Sequence, residues 1–219
     1  MRVVLSPDPI LRKKCEPIDT SEIKKYRAIA KDMARLMYKS DGCGIAAPQV
    51  GISKRLMVID CTMVEKEDEK EKDTGREKEG ERKRGKERDA GREREEEKKP
   101  PQNPPQNPTF YINPVVTYRG GDEVVDDEGC LSIPGISIPI KRFTELTVEA
   151  LDLDGKTFEV KTEGFHARAI QHELDHLDGM TMFEHLDPIA RIEAFKSYED
   201  AVRNGAKPGD TGKQNAGSK

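Results

Sequence analysis

No run of about 18 apolar residues occurs in the 219-residue chain, so no segment reads as a membrane span. The first residues, Met1-Arg2-Val3-Val4-Leu5-Ser6-Pro7-Asp8-Pro9, lack both a long apolar stretch and a small-residue cleavage site. No secretory or transit segment is therefore expected. Cysteine is sparse: Cys15, Cys43, Cys61 and Cys130 form no CxxC pair. That excludes a dense disulfide framework and points to free thiols in a reducing, cytoplasmic setting. Excess charge of one sign is lacking too. With 38 Lys and Arg against 42 Asp and Glu, the net charge of −4 argues against general nucleic-acid binding, which needs a basic excess to displace counterions.

Apolar residues are also few, at 34% against 37% charged. That average joins two populations. From Glu65 to Lys99, 15 acidic and 14 basic residues occupy 29 of 35 positions, and the largest apolar residue is Ala90. The other 184 residues are about 28% charged, which is ordinary for a globular domain with a sizeable core. After Lys99 come Pro100-Pro101-Gln102-Asn103, its repeat Pro104-Pro105-Gln106-Asn107, and Pro108. Residues 65–108 thus read as an insertion in a surface loop: a disordered charged part with no face to bury, then an extended proline-rich part. Lengthening a loop from about 5 to about 45 residues costs only about 2 kcal/mol, which a stable core can carry. The expected organisation is one catalytic domain over 1–64 and 109–203, with a flexible polar tail over 204–219.

Asp19 and Glu22 resemble a capping box, and Ile23, Tyr26, Ala30, Met33 and Met37 follow at helical spacing. A helix over about 20–39 is expected, ended by Asp41-Gly42. Leu56–Ile59 reads as a short buried strand. Tyr111-Ile112 and Val115-Val116 flank Asn113-Pro114, Glu123–Val125 follow a Gly120-Gly121 turn, and Leu146, Val148 and Ala150 alternate with polar residues. Asp154-Gly155 reads as a hairpin turn into Phe158 and Val160. A helix over about 164–178 stops at Gly179. Asp187-Pro188 starts a last helix with Ile189, Ile192, Phe195 and Tyr198 on one side. The fold class expected is α+β: antiparallel sheets around a central metal-binding helix, with a C-terminal helix and the charged insertion.

The strongest chemical signal is His172-Glu173-Leu174-Asp175-His176. On a helix, positions i and i+4 stand one above the other, so both imidazoles can reach one ion, and Glu173 lies close enough to take a proton from a water there. Two ligands do not make a catalytic site; three plus an open position do. The metzincin spacing would place a third histidine at position 182, which is Met182, so that reading fails. A downstream glutamate, Glu193 or Glu199, or a thiolate remains.

Gly42-Cys43-Gly44-Ile45-Ala46-Ala47-Pro48-Gln49 is a glycine-rich turn suited to close backbone approach of a ligand. Glu128-Gly129-Cys130-Leu131-Ser132 presents a cysteine directly after a glycine. With Gln171–His176, these segments in this order resemble the peptide deformylases, from about Ser6 to Leu186 apart from the insertion. Ile45 stands where leucine is common, and Cys43 is a second thiol at a variable position. The resemblance implies that Cys130, His172 and His176 hold one divalent ion per chain. Fe²⁺ is the family's usual ion, and Zn²⁺, Ni²⁺ or Co²⁺ can occupy the site.

The resemblance further implies that Glu173 is general base and then general acid, with the Gln49 amide and the Leu131 N–H holding the oxyanion. Glu128 would pair with Arg142 and steady the cysteine loop. The implied substrate is the N-formyl group on the first methionine of new polypeptides, with transient ribosome association as the accompanying expectation. Phe165 and Ala169, seven and three residues before His172, would line a methionine slot or simply pack on the sheet, with Gly44 and Cys43 beside the substrate. Arg168 would mark the pocket rim. His166 and His185 read as surface or structural histidines, Cys15 and Cys61 as small buried residues. Two alternatives stand: a metallopeptidase using a downstream glutamate, and a non-catalytic nascent-chain-binding relative, which would have no need of Glu173 or Gln49.

Overall fold

The computed structural model describes residues 1–62 and 106–212. The expectations for the charged and proline-rich stretch between 63 and 105 lie outside the described residues, as does the end of the polar tail, 213–219. Helix α1 spans Ile23–Lys39 and buries Ile23, Tyr26, Ala30, Met33, Ala34 and Met37, the stripe that the spacing predicts. Asp19 accepts from the Ser21 N–H and so caps a 3-10 turn, Thr20–Glu22, that leads into it. The helix ends where Asp41 turns left-handed (φ 51) and the Gly42 N–H reaches back to Met37 O.

One five-stranded antiparallel sheet follows in chain order, rather than several: β1 Gly44–Ala46, β2 Leu56–Ile59, β3 Thr109–Cys130, β4 Ile133–Leu151 and β5 Thr157–Glu163. All four β2 residues are buried because the strand is covered on both faces. Leu56 and Val58 pack with Met33 and Met37 of α1, while Met57 and Ile59 join Ile170 and Leu174 of helix α2, Gly164–Leu177. Across the sheet α2 also meets Tyr111, Leu146, Val148 and Ala150. Its near-complete burial fixes the height and rotation of every side chain on its other face. Helix α3, Pro188–Arg203, is capped by Asp187, which accepts from the Ile189 and Ala190 N–H groups.

The structure corrects several expectations. Gly120-Gly121 is not a turn but, like Asn113-Pro114, lies inside one long strand. Both are bulges within the 22-residue β3, where the pairing with β4 shifts register. Asn113 holds its left-handed φ of 52° because its side chain exchanges two 2.8 Å bonds with the backbone of Ile18. On α3 the apolar side is only partly used. Tyr198 is buried and Phe195 packs beside Phe183, but Ile189 and Ile192 are 73% and 58% exposed, because the sheet lies under the later turns only. The polar tail is seated on the domain as far as Gly212, where the Gly135 N–H donates to Asp210 O at 2.8 Å.

Candidate active site

Three elements converge on one point. The β3–β4 hairpin turns over at Leu131-Ser132, and a register shift between the Glu128–Ile138 and Cys130–Ile133 pairs sets Cys130 at its tip. Helix α2 presents His172 and His176 one turn apart on the face away from its core stripe. The 3-10 turn Ala47–Val50, directly after β1, supplies Gln49. Cys130 Sγ lies 3.3 Å from His176 Nε2, and the three side chains offer ligand atoms all within 4.8 Å of one another. An ion bonded at about 2.0–2.3 Å to nitrogen and sulfur needs donors about 3.3–3.8 Å apart, so this donor set fits a borderline-soft divalent ion.

Electrostatics point the same way. Burial pushes the Cys130 thiol up, but the imidazoles of His176 and His172 outweigh it and hold the group at about 5, in the thiolate form a metal requires. Glu173 is driven the other way. Its burial raises it to about 7 against the pull of His172 and His176, and its Oε2 has no hydrogen-bond partner among the described residues. The group is thus poised to gain or lose a proton near neutrality. Gly44 makes its position possible: a Cβ there would lie 2.5 Å from Glu173 Oε1. The Gln49 amide is fixed by the Ala46 N–H, which donates to Oε1 at 2.7 Å, so Nε2 points at Cys130 Sγ, 3.6 Å away.

Behind these residues stands a buried hub. Glu128 accepts from Arg142 Nε and Nη2 at 2.9 and 3.0 Å, from Arg168 Nη1 at 2.8 Å, and meets His172 Nδ1 at 2.8 Å. That contact commits Nδ1 and leaves Nε2 of His172 for a ligand role. Burial works against the Glu128 carboxylate, yet His172 and Arg142 hold it well below the usual range. The Glu128–Arg142 pair expected from the resemblance is present. Arg168 lines the cavity, as expected, but is buried: it is bonded to Glu128 and also donates to the carbonyls of Ile140 and Val124. Sequence reasoning missed Asp175, which bonds Arg142 Nη1 at 2.7 Å and His185 Nε2 at 2.6 Å. Its signal was its place between the two histidines, one turn on from His172.

A cavity of about 260 Å³ opens onto the site. Cys43, Gly44, Gln49, Glu128, Cys130, Leu131, Phe165, Ala169, His172 and Glu173 all line it. Glu193 and Glu199 are exposed on α3 and belong to no such cluster among the described residues. The sequence model of the family described as polypeptide deformylase matches residues 1–191. The chain belongs to that family. It is 34% identical over 205 residues to the peptide deformylase of Orientia tsutsugamushi strain Boryong, covering 92% of this chain and 97% of that one. To the peptide deformylase of Thermus thermophilus it is 38% identical over 190 residues, covering 86% and 82%. Among solved structures, the Legionella pneumophila peptide deformylase superposes with a TM-score of 0.67 at 30% identity, over 93% of this chain and 95% of that one. The deformylase of Synechococcus elongatus, solved in complex with actinonin, gives 0.66 at 28% identity, over 92% and 87%. Deformylases are metalloenzymes, and the Cys130, His172 and His176 group is where this chain could bind its ion. Among the described residues no helix is long and apolar enough to cross a membrane.

Proposed function

We propose that the chain removes the N-formyl group from the first methionine of new polypeptides, with Cys130, His172 and His176 as metal ligands and Glu173 as the proton-handling group. The observation that carries this reading is the convergence of three donors within 4.8 Å, beside a buried carboxyl raised to about 7, in a member of the deformylase family. A divalent ion bound there supplies Lewis-acid polarisation and acidifies water. Fe²⁺ is the ion we assign, and Zn²⁺, Ni²⁺ or Co²⁺ suit the same donors.

The chain's own groups do the rest. Glu173 takes a proton from the water that attacks the formyl carbon, then delivers it to the methionine nitrogen as the C–N bond breaks, leaving formate and a free amine. The Gln49 amide N–H and the Leu131 backbone N–H hold the oxyanion, each donor contributing about 3–4 kcal/mol. Glu128, locked by Arg142 and Arg168, keeps His172 in the tautomer that faces the ligands. Phe165 and Ala169 form the apolar side of the methionine slot, and Gly44 and Cys43 lie along the bound peptide. We place the enzyme in the cytoplasm, meeting its chains near the ribosome.

The test is formate release from a formyl-Met peptide by protein purified without oxygen, with elemental analysis of the ion. Glu173→Ala should keep the ion and lose turnover by about 10²–10⁴-fold. Near-parental release by this variant would overturn the assignment.

A further inference from the structure

Within residues 205–212, Gly209, Asp210 and Thr211 form part of the wall of the active-site cavity. On one side Gly209, at φ 102, sits against the Ser40 carbonyl, where a Cβ would come within 2.4 Å of the oxygen. On the other side Thr211 Cγ2 is 3.0 Å from the place of a Cβ on Gly129, and Gly212 rests on the backbone of Ile136 and Ser137. The Gly135 N–H to Asp210 O bond, 2.8 Å, pins the segment. Its shape is set locally as well: Asp210 Oδ2 accepts from the Lys207 N–H at 2.7 Å, and the Asp210 N–H donates to Lys207 O at 2.9 Å. Gly209, Asp210 and Thr211 consequently line the same cavity as Gln49, Phe165 and His172.

Charge along this lining is one-sided. Asp41, Asp127 and Asp210 are exposed lining residues, and none forms an ion pair among the described residues. Among the described residues the one Lys or Arg lining the cavity, Arg168, is already committed to Glu128. We infer that residues 205–212 form a specificity-determining wall, which adds Asp210 to Asp41 and Asp127 in the cavity lining that the outgoing peptide passes, and which favours formyl-Met chains with a basic residue soon after the methionine. This rests on the deformylase reading and on the peptide leaving by this cavity.

The test compares kcat/KM for formyl-Met-Ala-Ala, formyl-Met-Ala-Lys and formyl-Met-Ala-Glu at low and high salt. The parent should prefer the lysine peptide over the glutamate one, mainly through KM, and the preference should shrink as salt screens exposed charge. Asp210→Asn, which keeps an oxygen for the Lys207 N–H, should lower the lysine-to-glutamate ratio by about 1.5- to 5-fold. Removing 207–219 should lower it at least as much. Asp200→Asn, the same change of net charge on the exposed face of α3, should leave the ratio alone. Equal ratios in the parent, Asp210→Asn and the truncated chain would overturn the inference while leaving deformylation intact. A parent inactive on all three peptides would instead sink the deformylase reading and the inference with it.

Discussion

Glu128 is where a single change should cost most. Its carboxylate is buried and bonded to two guanidinium groups and an imidazole. Glu128→Ala removes the carboxylate with which Arg168 pairs and leaves its charge in a low-dielectric site. Breaking a buried ion pair from one side costs about 3–5 kcal/mol. Two contacts limit the damage: Arg142 keeps Asp175 at 2.7 Å, and Arg168 keeps the carbonyls of Ile140 and Val124. The lower end, about 3 kcal/mol, is therefore the expected loss. For a domain of this size that corresponds to a fall in Tm of about 6–12 °C. The measurement is thermal unfolding followed by circular dichroism in excess chelator, so that metal linkage does not mix with the fold's own stability. With metal restored, affinity should also fall by about 10- to 100-fold, because His172 loses the partner that orients it. A fall in Tm of less than about 3 °C would show that the hub is relaxed by solvent and that the desolvation argument fails.

Cys130→Ser should lose its ion on dialysis, since a neutral hydroxyl replaces a soft thiolate, while Glu193→Ala should retain it; elemental analysis showing the reverse would favour a glutamate ligand. At Asp60, burial pushes the carboxyl up, but bonds from Thr62, Tyr38 and Asn107 win and hold its pKa below the ordinary value. A depressed pKa adds stability above the unfolded value of about 3.9 and loses it as pH falls through the folded one. Asp60→Asn should therefore lower Tm by a constant amount above about pH 5, and the gap from the parent should close as pH falls below 4. Deleting residues 65–105 should leave metal content and deformylation of short peptides near parental, because Ile59 already pairs with Thr109 across the two ends of the cut. Shortening that connection should change stability by no more than about 2 kcal/mol, and loss of activity in a folded, metal-bound variant would show that the segment shapes the site.

Local pattern carried the fold where one element faces one core. The 3- and 4-residue spacing in α1 needs no partner to be read, and all five residues it singles out are buried. β3 was harder to read, because glycine pairs and Asn-Pro are the ordinary marks of a turn. Here the long partner strand β4 continues past them, and the chain absorbs the extra residues as bulges. The cost at Asn113 is offset by Ile18, 95 residues away, and no local window contains that pair. The same limit explains α3, where Ile189 and Ile192 keep helical spacing but lie beyond the edge of what the helix packs on.

The site divides along the same line. His172 and His176 are legible because four residues on a helix fix their geometry, whereas Cys130 was reached only through resemblance, since a hairpin tip has no period. The pairing of Arg168 was missed because its partner Glu128 is 40 residues away and buried charge leaves no mark on composition. The glycine-rich turn is the instructive case. Gly42-Cys43-Gly44 reads as room for a ligand's backbone, and Cys43 and Gly44 do line the cavity. Yet the missing Cβ at Gly44 also clears the space that the Glu173 carboxyl fills. That absence lets the group sit buried against the β1 backbone, and burial is what raises it to about 7. On the function proposed, one glycine would serve both the path of the peptide and the protonation state of the base. A larger residue there would act on Glu173 before it met any substrate.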